Sequence, residues 1–127
     1  MSCHPRVTAW TTIIQAHLPP LTKPPATVLA LWSLGMVLAR SCALTAVSAF
    51  LATWLGRKEP TVRQQLREFC YEATAKRGTA RCALGVEPCF APLLAWVVSQ
   101  WEGTQLALAL EATTLGTRFT VLAISVV

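Results

Sequence analysis

The sequence predicts a mainly α-helical N-terminal part followed by an antiparallel β-hairpin. Three observations carry this expectation. The stretch Ala26–Gly56 is almost continuously apolar and holds a helical stripe, Leu44, Val47, Leu51 and Leu55, spaced three, four and four. Beyond Pro60, Thr61-x-x-Gln64 has the form of a capping box ahead of an amphipathic run. After Gly103 the texture changes to two runs rich in Leu, Ala, Val, Ile and Thr, on either side of the turn-forming TTLGT.

Residues 1–25 form a Pro-rich N-terminal segment that holds five of the eight prolines. A short helix fits Val7–His17. The run Pro19–Pro25 cannot continue a helix and reads as a bent linker.

Residues 26–103 read as a helical, DNA-binding region. Arg40 is the only charge between Ala26 and Gly56 and divides that run into pieces of 14 and 16 residues. Each is short of the roughly 20 apolar residues that span a bilayer. In one continuous helix Arg40 would sit near the bilayer centre, at roughly 2.5–3.5 kcal/mol on insertion scales. Two buried helices broken near Arg40, the second with Ser41 as N-cap, fit better. A membrane-associated helical hairpin at 26–56 is the alternative.

GRKEP, Gly56–Pro60, is a break. A helix over 61–74 then puts Val62, Leu66, Phe69 and Ala73 on one face. Arg63, Arg67 and Tyr71 fall on another, with Gln64 beside them. Those groups hold phosphates, and Arg and Gln also read base edges. Helices 42–55 and 61–74 together resemble a helix-turn-helix element, although a plain helical hairpin has the same pattern. A basic loop with two glycines, 75–88, leads to a helix from Pro92 to Trp101 whose apolar face is Leu93, Leu94, Val97 and Trp101.

Residues 104–127 read as strand QLALALEA, turn TTLGT and strand RFTVLAISVV. Alternation puts Ala107, Ala109 and Glu111 on one face and Leu106, Leu108 and Leu110 on the other, with Glu111 near the strand end. Strands this apolar need covering on both faces, so the hairpin reads as the beginning of a larger sheet.

Charge is scarce, at 13% of residues against roughly 25% in ordinary soluble domains. The hydrophobic share is 54%, so the chain has too little polar surface to cover itself and calls for a further piece, a partner or a membrane. The net charge of +5 is concentrated. Arg57, Lys58, Arg63, Arg67, Lys76, Arg77 and Arg81 face only Glu59, Glu68 and Glu72 in the same stretch, a local balance of +4. Such a patch suits a polyanion, because each neutralised phosphate releases counterions. The candidate DNA contacts are therefore Arg57, Lys58, Arg63, Gln64, Arg67, Tyr71, Lys76, Arg77 and Arg81. Five cysteines without a C-x-x-C pair, and a start without a secretory pattern, predict reduced thiols in a cytoplasmic protein. Cys82 and Cys89 have no usual zinc spacing, and His4 and His17 read as ordinary polar residues.

The run LALALEATTLGTRFTVLAISVV resembles the start of the catalytic domain in bacterial insertion-sequence transposases of the DDE class. The upstream LWSLGMVLARSCALTAVSAFLATWLGRKEPTVRQQLREFCYEATAKRG and CFAPLLAWVVSQW are similar to the N-terminal portion of that family. The resemblance covers roughly residues 26–127. It implies that 104–127 are the first two strands of a truncated α/β, ribonuclease-H-like domain. In the intact family two Asp and one Glu hold Mg²⁺, and water and then a 3′ hydroxyl attack phosphodiester bonds. The N-terminal helices are expected to bind the element ends.

Glu111 matches the first catalytic and metal-binding Asp of the family. Glu keeps a hard anionic ligand but shifts its oxygens by about one C–C bond, beyond the roughly 0.5 Å that such sites tolerate. The matching second and third carboxylates would lie beyond Val127. The expectation is a truncated transposase that retains its DNA-binding helices, holds no stable Mg²⁺ and lacks catalysis. It would act as a homo-oligomer or in a mixed complex with a full-length transposase. A metal-dependent nuclease completed by oligomerisation around Glu111 ranks below this reading.

Overall fold

The computed structural model describes residues 3–69, 84–105 and 107–126. Within them run α1 (Pro5–His17), α2 (Lys23–Ala39), α3 (Leu44–Leu55), α4 (Glu59–Glu68), a 3₁₀ turn at Glu87–Cys89, and α5 (Phe90–Ser99). Two strands follow, β1 (Leu108–Leu115) and β2 (Phe119–Val126). The chain divides into two compact units, Met1–Val97 and Val98–Val127. The architecture is thus mainly helical with a C-terminal antiparallel hairpin, as expected.

The N-terminal segment is part of the core. Val7, Thr11 and Ile14 are buried along one face of α1, and Leu18 and Leu21 are buried just after it. α1 packs on α2, and the Trp10 indole donates to Ser33 Oγ at 2.8 Å. Ser33 Oγ in turn donates to the Leu29 carbonyl at 2.7 Å. The linker expected over Pro19–Pro25 is shorter, because α2 already begins at Lys23. Pro24 and Pro25 occupy its first turn, where backbone amides have no intrahelical acceptor and the missing N–H costs nothing. The first helical bond comes from the next residue, Ala26, to the Thr22 carbonyl at 3.1 Å.

The break at Arg40 is where the sequence puts it. Arg40 takes the left-handed conformation, φ 52° and ψ 39°. Its amide bonds the Val37 carbonyl and the Ser41 amide bonds the Met36 carbonyl, closing α2 with two otherwise orphaned acceptors. Ser41 does not cap α3, whose N-cap is Ala43. Its hydroxyl instead accepts from the Ala43 amide at 3.1 Å, which shapes the turn. The axes of α2 and α3 differ by 97°. They approach closely at Gly35, where an added Cβ would lie 2.9 Å from both Leu51 Cδ1 and Val47 Cγ1. Among the described residues no single helix is long and apolar enough to cross a membrane, and α2 and α3 reach that length and apolarity only together, as a bent unit.

α4 starts two residues earlier than the capping box predicts, at Glu59. Gly56 closes α3 at φ 65°, the Arg57 amide bonds the Ala52 carbonyl at 2.9 Å, and only Gly56, Arg57 and Lys58 separate the two helices. Pro60 again sits in the first turn. Thr61 is therefore inside the helix, its amide bonded to the Lys58 carbonyl at 3.1 Å. Gln64 does not reach back but donates forward to Glu68 Oε1 at 2.7 Å. The packing stripe survives this shift. Val62 and Leu66 are fully buried in one core with Val47 and Leu51 of α3, and α4 packs on α3. Phe69 is half-buried and meets Trp32 edge-on at 6.2 Å. The rest of the expected 61–74 helix, including Ala73, lies outside the described residues.

α5 is displaced from the expected span and its expected packing face is exposed. Leu94 is 57% exposed, and Leu93, Val97 and Trp101 are each more than two-fifths exposed. The contact that docks the helix is Trp96, whose ring stacks on His17 at 4.3 Å and 3° and also meets Trp10. The sequence FAPLLAWVVS is apolar on every side, so periodicity could not select the buried face.

The hairpin pairs from Leu108↔Val126 to Leu115↔Phe119. Thr113–Leu115, expected in the turn, extend β1 instead. The loop is the three residues Gly116–Arg118, with Gly116 at φ 63° supplying the left-handed position. Glu111 is accordingly mid-strand, opposite Ala123, rather than at the strand end. Apolar side chains on both faces are exposed, Leu110 to 67% and Phe119 to 68% among them.

Candidate functional site

The basic surface is built on the α3–α4 pair. The buried side of α4 is fixed by Val62 and Leu66, which turns Arg63, Gln64 and Arg67 away from the core. Arg63 Nη2 lies 2.8 Å from Glu59 Oε1, one helical turn earlier. Gln64 is occupied by Glu68. Two expected DNA contacts are thus engaged within their own helix, and a ligand must compete for them. Lys58 and Arg67 are exposed and Arg57 is half-buried, and the side chains of these three make no ion pair or hydrogen bond among the described residues. Arg57 and Lys58 share the inter-helix turn, and Arg67 is in the last turn of α4. Tyr71, Lys76, Arg77 and Arg81 lie outside the described residues.

The turn also borders a cavity of about 460 Å³, lined by Cys3, His4, Trp54, Gly56 and Arg57 among others. His4 and His17, read from the sequence as ordinary polar residues, are both stacked. The His4 ring lies 4.1 Å from the Trp54 ring, and its Nδ1 accepts the Arg6 amide at 3.3 Å as the N-cap of α1. The run W-L-G-R, residues 54–57, hints that an aromatic and a guanidinium flank the helix end. His4 is 50 positions from Trp54 in the chain, and only folding joins them.

Glu111 has a different setting. On its face of the hairpin stand Ala109, Thr113 and Leu115, with Ser125, Ala123, Val121 and Phe119 across the ladder. It is exposed and makes no ion pair or hydrogen bond among the described residues. No group of three or more His, Cys, Asp or Glu close enough to hold a metal ion occurs among those residues. Mg²⁺ takes a near-octahedral set of hard oxygens, and the neighbours of Glu111 offer Ala, Thr and Ser side chains rather than a second carboxylate. The described residues around Glu111 do not fit the two-metal site that the sequence resemblance implies.

The chain was compared with protein-family models, with curated proteins and with solved structures, and nothing matched it.

Proposed function

We propose that this protein binds DNA through the α3–α4 pair, as the DNA-binding portion of a DDE-class transposase. In this reading the hairpin corresponds to the first two strands of a ribonuclease-H-like sheet, and the chain by itself carries out no strand transfer. The observation that carries the binding claim is the three-residue turn between two helices locked by Val47, Leu51, Val62 and Leu66. It presents Arg57 and Lys58, with Arg67 further along α4. Short helix pairs of this kind position side chains against a duplex, and unpaired cations on them contact phosphates. Glu111 stands for the family's first catalytic Asp, without companions among the described residues to hold Mg²⁺. The expected setting is cytoplasmic, the partner is DNA at the element ends, and assembly is with itself or with a full-length transposase.

The test is fluorescence anisotropy with a labelled random-sequence duplex over a range of salt. Sequence-independent binding should show a dissociation constant of about 10⁻⁴–10⁻⁶ M at physiological salt and weaken steeply as salt rises. Arg67→Ala should lower the salt slope by about one, the signature of one lost phosphate contact. A protein that ignores every duplex at low salt would refute the reading.

A second reading, a membrane-associated helical hairpin at 26–56, draws on the combined length and apolar composition of the bent α2–α3 pair. Detergent-free fractionation separates the two. Recovery of folded protein from the aqueous phase eliminates the membrane.

A further inference from the structure

We infer that the cavity between the start of α1 and the α3–α4 turn holds one nucleotide of a DNA strand, its phosphate on Arg57 and His4 and its base against Trp54. The inference rests on the DNA-binding reading and extends it to residues from outside the helix pair. Three features of the cavity support it.

The first is charge. The Arg57 side chain is half-buried at the cavity and makes no ion pair or hydrogen bond among the described residues. A guanidinium held partly out of water gains more from an anion than a fully solvated one does, and its planar fork matches phosphate oxygens. The second is the state of His4. Because Nδ1 accepts the Arg6 amide, the neutral ring carries its proton on Nε2, which is left to donate. The third is shape. Trp54 and His4 form an aromatic wall beside the guanidinium, and the Phe50 ring lies 6.3 Å from that of Trp54. A volume of about 460 Å³ exceeds what a bare phosphate fills and falls in the range of small-molecule sites. A flat ring carrying a phosphate suits an aromatic wall next to paired donors, and base-on-aromatic stacking is tolerant of sequence.

The site occupies the turn of the helix pair, and because a base against Trp54 has left its duplex stack, the occupant is a single-stranded or frayed terminal nucleotide. A nucleotide seated there would anchor the strand at one point and set the register of the remaining cations.

The test uses the full chain and three probes, thymidine 5′-monophosphate, thymidine and inorganic phosphate, followed through the indole N–H resonance of Trp54. Trp54→Leu identifies that resonance. Thymidine 5′-monophosphate should shift it saturably, while thymidine or phosphate alone should shift it several-fold less at equal concentration. Arg57→Gln and His4→Asp should each abolish the shift. His4→Asp keeps an N-cap acceptor for α1 while placing a negative charge in the cavity, so its helical circular dichroism should be unchanged. With single-stranded DNA, Arg57→Gln should weaken binding and reduce the salt slope by about 0.7.

A wild-type protein that binds duplex DNA but whose Trp54 ignores the nucleotide overturns the pocket and leaves the DNA reading intact. A Trp54 shift in a protein that binds no DNA overturns the DNA reading and leaves a nucleotide-phosphate site. Failure of both rejects both, and an undiminished shift in Arg57→Gln and His4→Asp also rejects the pocket.

Discussion

The helical unit and the hairpin are both rich in apolar residues, yet they treat those residues in opposite ways. In the helices, Ala26, Ala30, Val47, Leu51, Val62 and Leu66 are all 0% exposed. In the hairpin, Leu122 is 68% exposed and Ile124 70%. The difference lies in layers rather than composition. Four helices surround a common interior, so each lends a stripe and each stripe finds another. Two strands have two faces and no second layer, so a hairpin alone hides neither. Its cohesion comes from its cross-strand ladder and from the Gly116 turn. Apolar content by itself therefore says little about where a chain gains stability.

The sharpest trial of this contrast is one truncation made twice. Leu51→Ala should cost about 2–5 kcal/mol in urea denaturation followed by circular dichroism, because it opens a void in a filled core. Leu122→Ala should stay within about 0.5 kcal/mol, as befits an exposed side chain. Equal losses would mean that the hairpin is covered in solution, and the contrast would fail.

Next in size is Gly35→Ala. Its methyl would meet Leu51 and Val47 at 2.9 Å. Overpacking should cost about 1–3 kcal/mol, against a gain of about 0.5–1 kcal/mol from replacing a mid-helix glycine. A net gain would show that α2 and α3 separate easily. Ser33→Ala should cost about 1 kcal/mol, since the Trp10 indole loses its acceptor between α1 and α2. Smallest is Arg40→Gly, expected to stabilise by up to about 1 kcal/mol in the same assay, because glycine carries no penalty at φ 52°. A loss there would show that the Arg40 side chain contributes more than its backbone costs.

Much of the helical unit was legible because its signals are local. The stripe through Val47 and Leu51, the break at Arg40 and the Val62–Leu66 face each follow from spacing within a few turns. Proline was ambiguous, because the residue that ends a helix interior also suits a first turn. Pro24, Pro25 and Pro60 all took the second role. Thr61-x-x-Gln64 lost its capping role for the same reason, since Pro60 let α4 begin earlier and Glu68 offered Gln64 a partner one turn on. The candidate site was half legible. The cations Arg57, Lys58, Arg63 and Arg67 are visible as charge, whereas the engagement of Arg63 by Glu59 and of Gln64 by Glu68 depends on where the helix starts.

By itself the sequence determined the mainly helical character of the first part, the pairing of two C-terminal strands and the breaks at Arg40 and Gly56, because these follow from short-range sterics and periodicity. Tertiary structure alone decided that Pro5–His17 joins the core, that Trp96 is the docking side chain of α5, and that His4 meets Trp54 beside Arg57. Those outcomes depend on contacts between residues tens of positions apart, and pattern within a window carries no information about which distant surface will arrive to meet it.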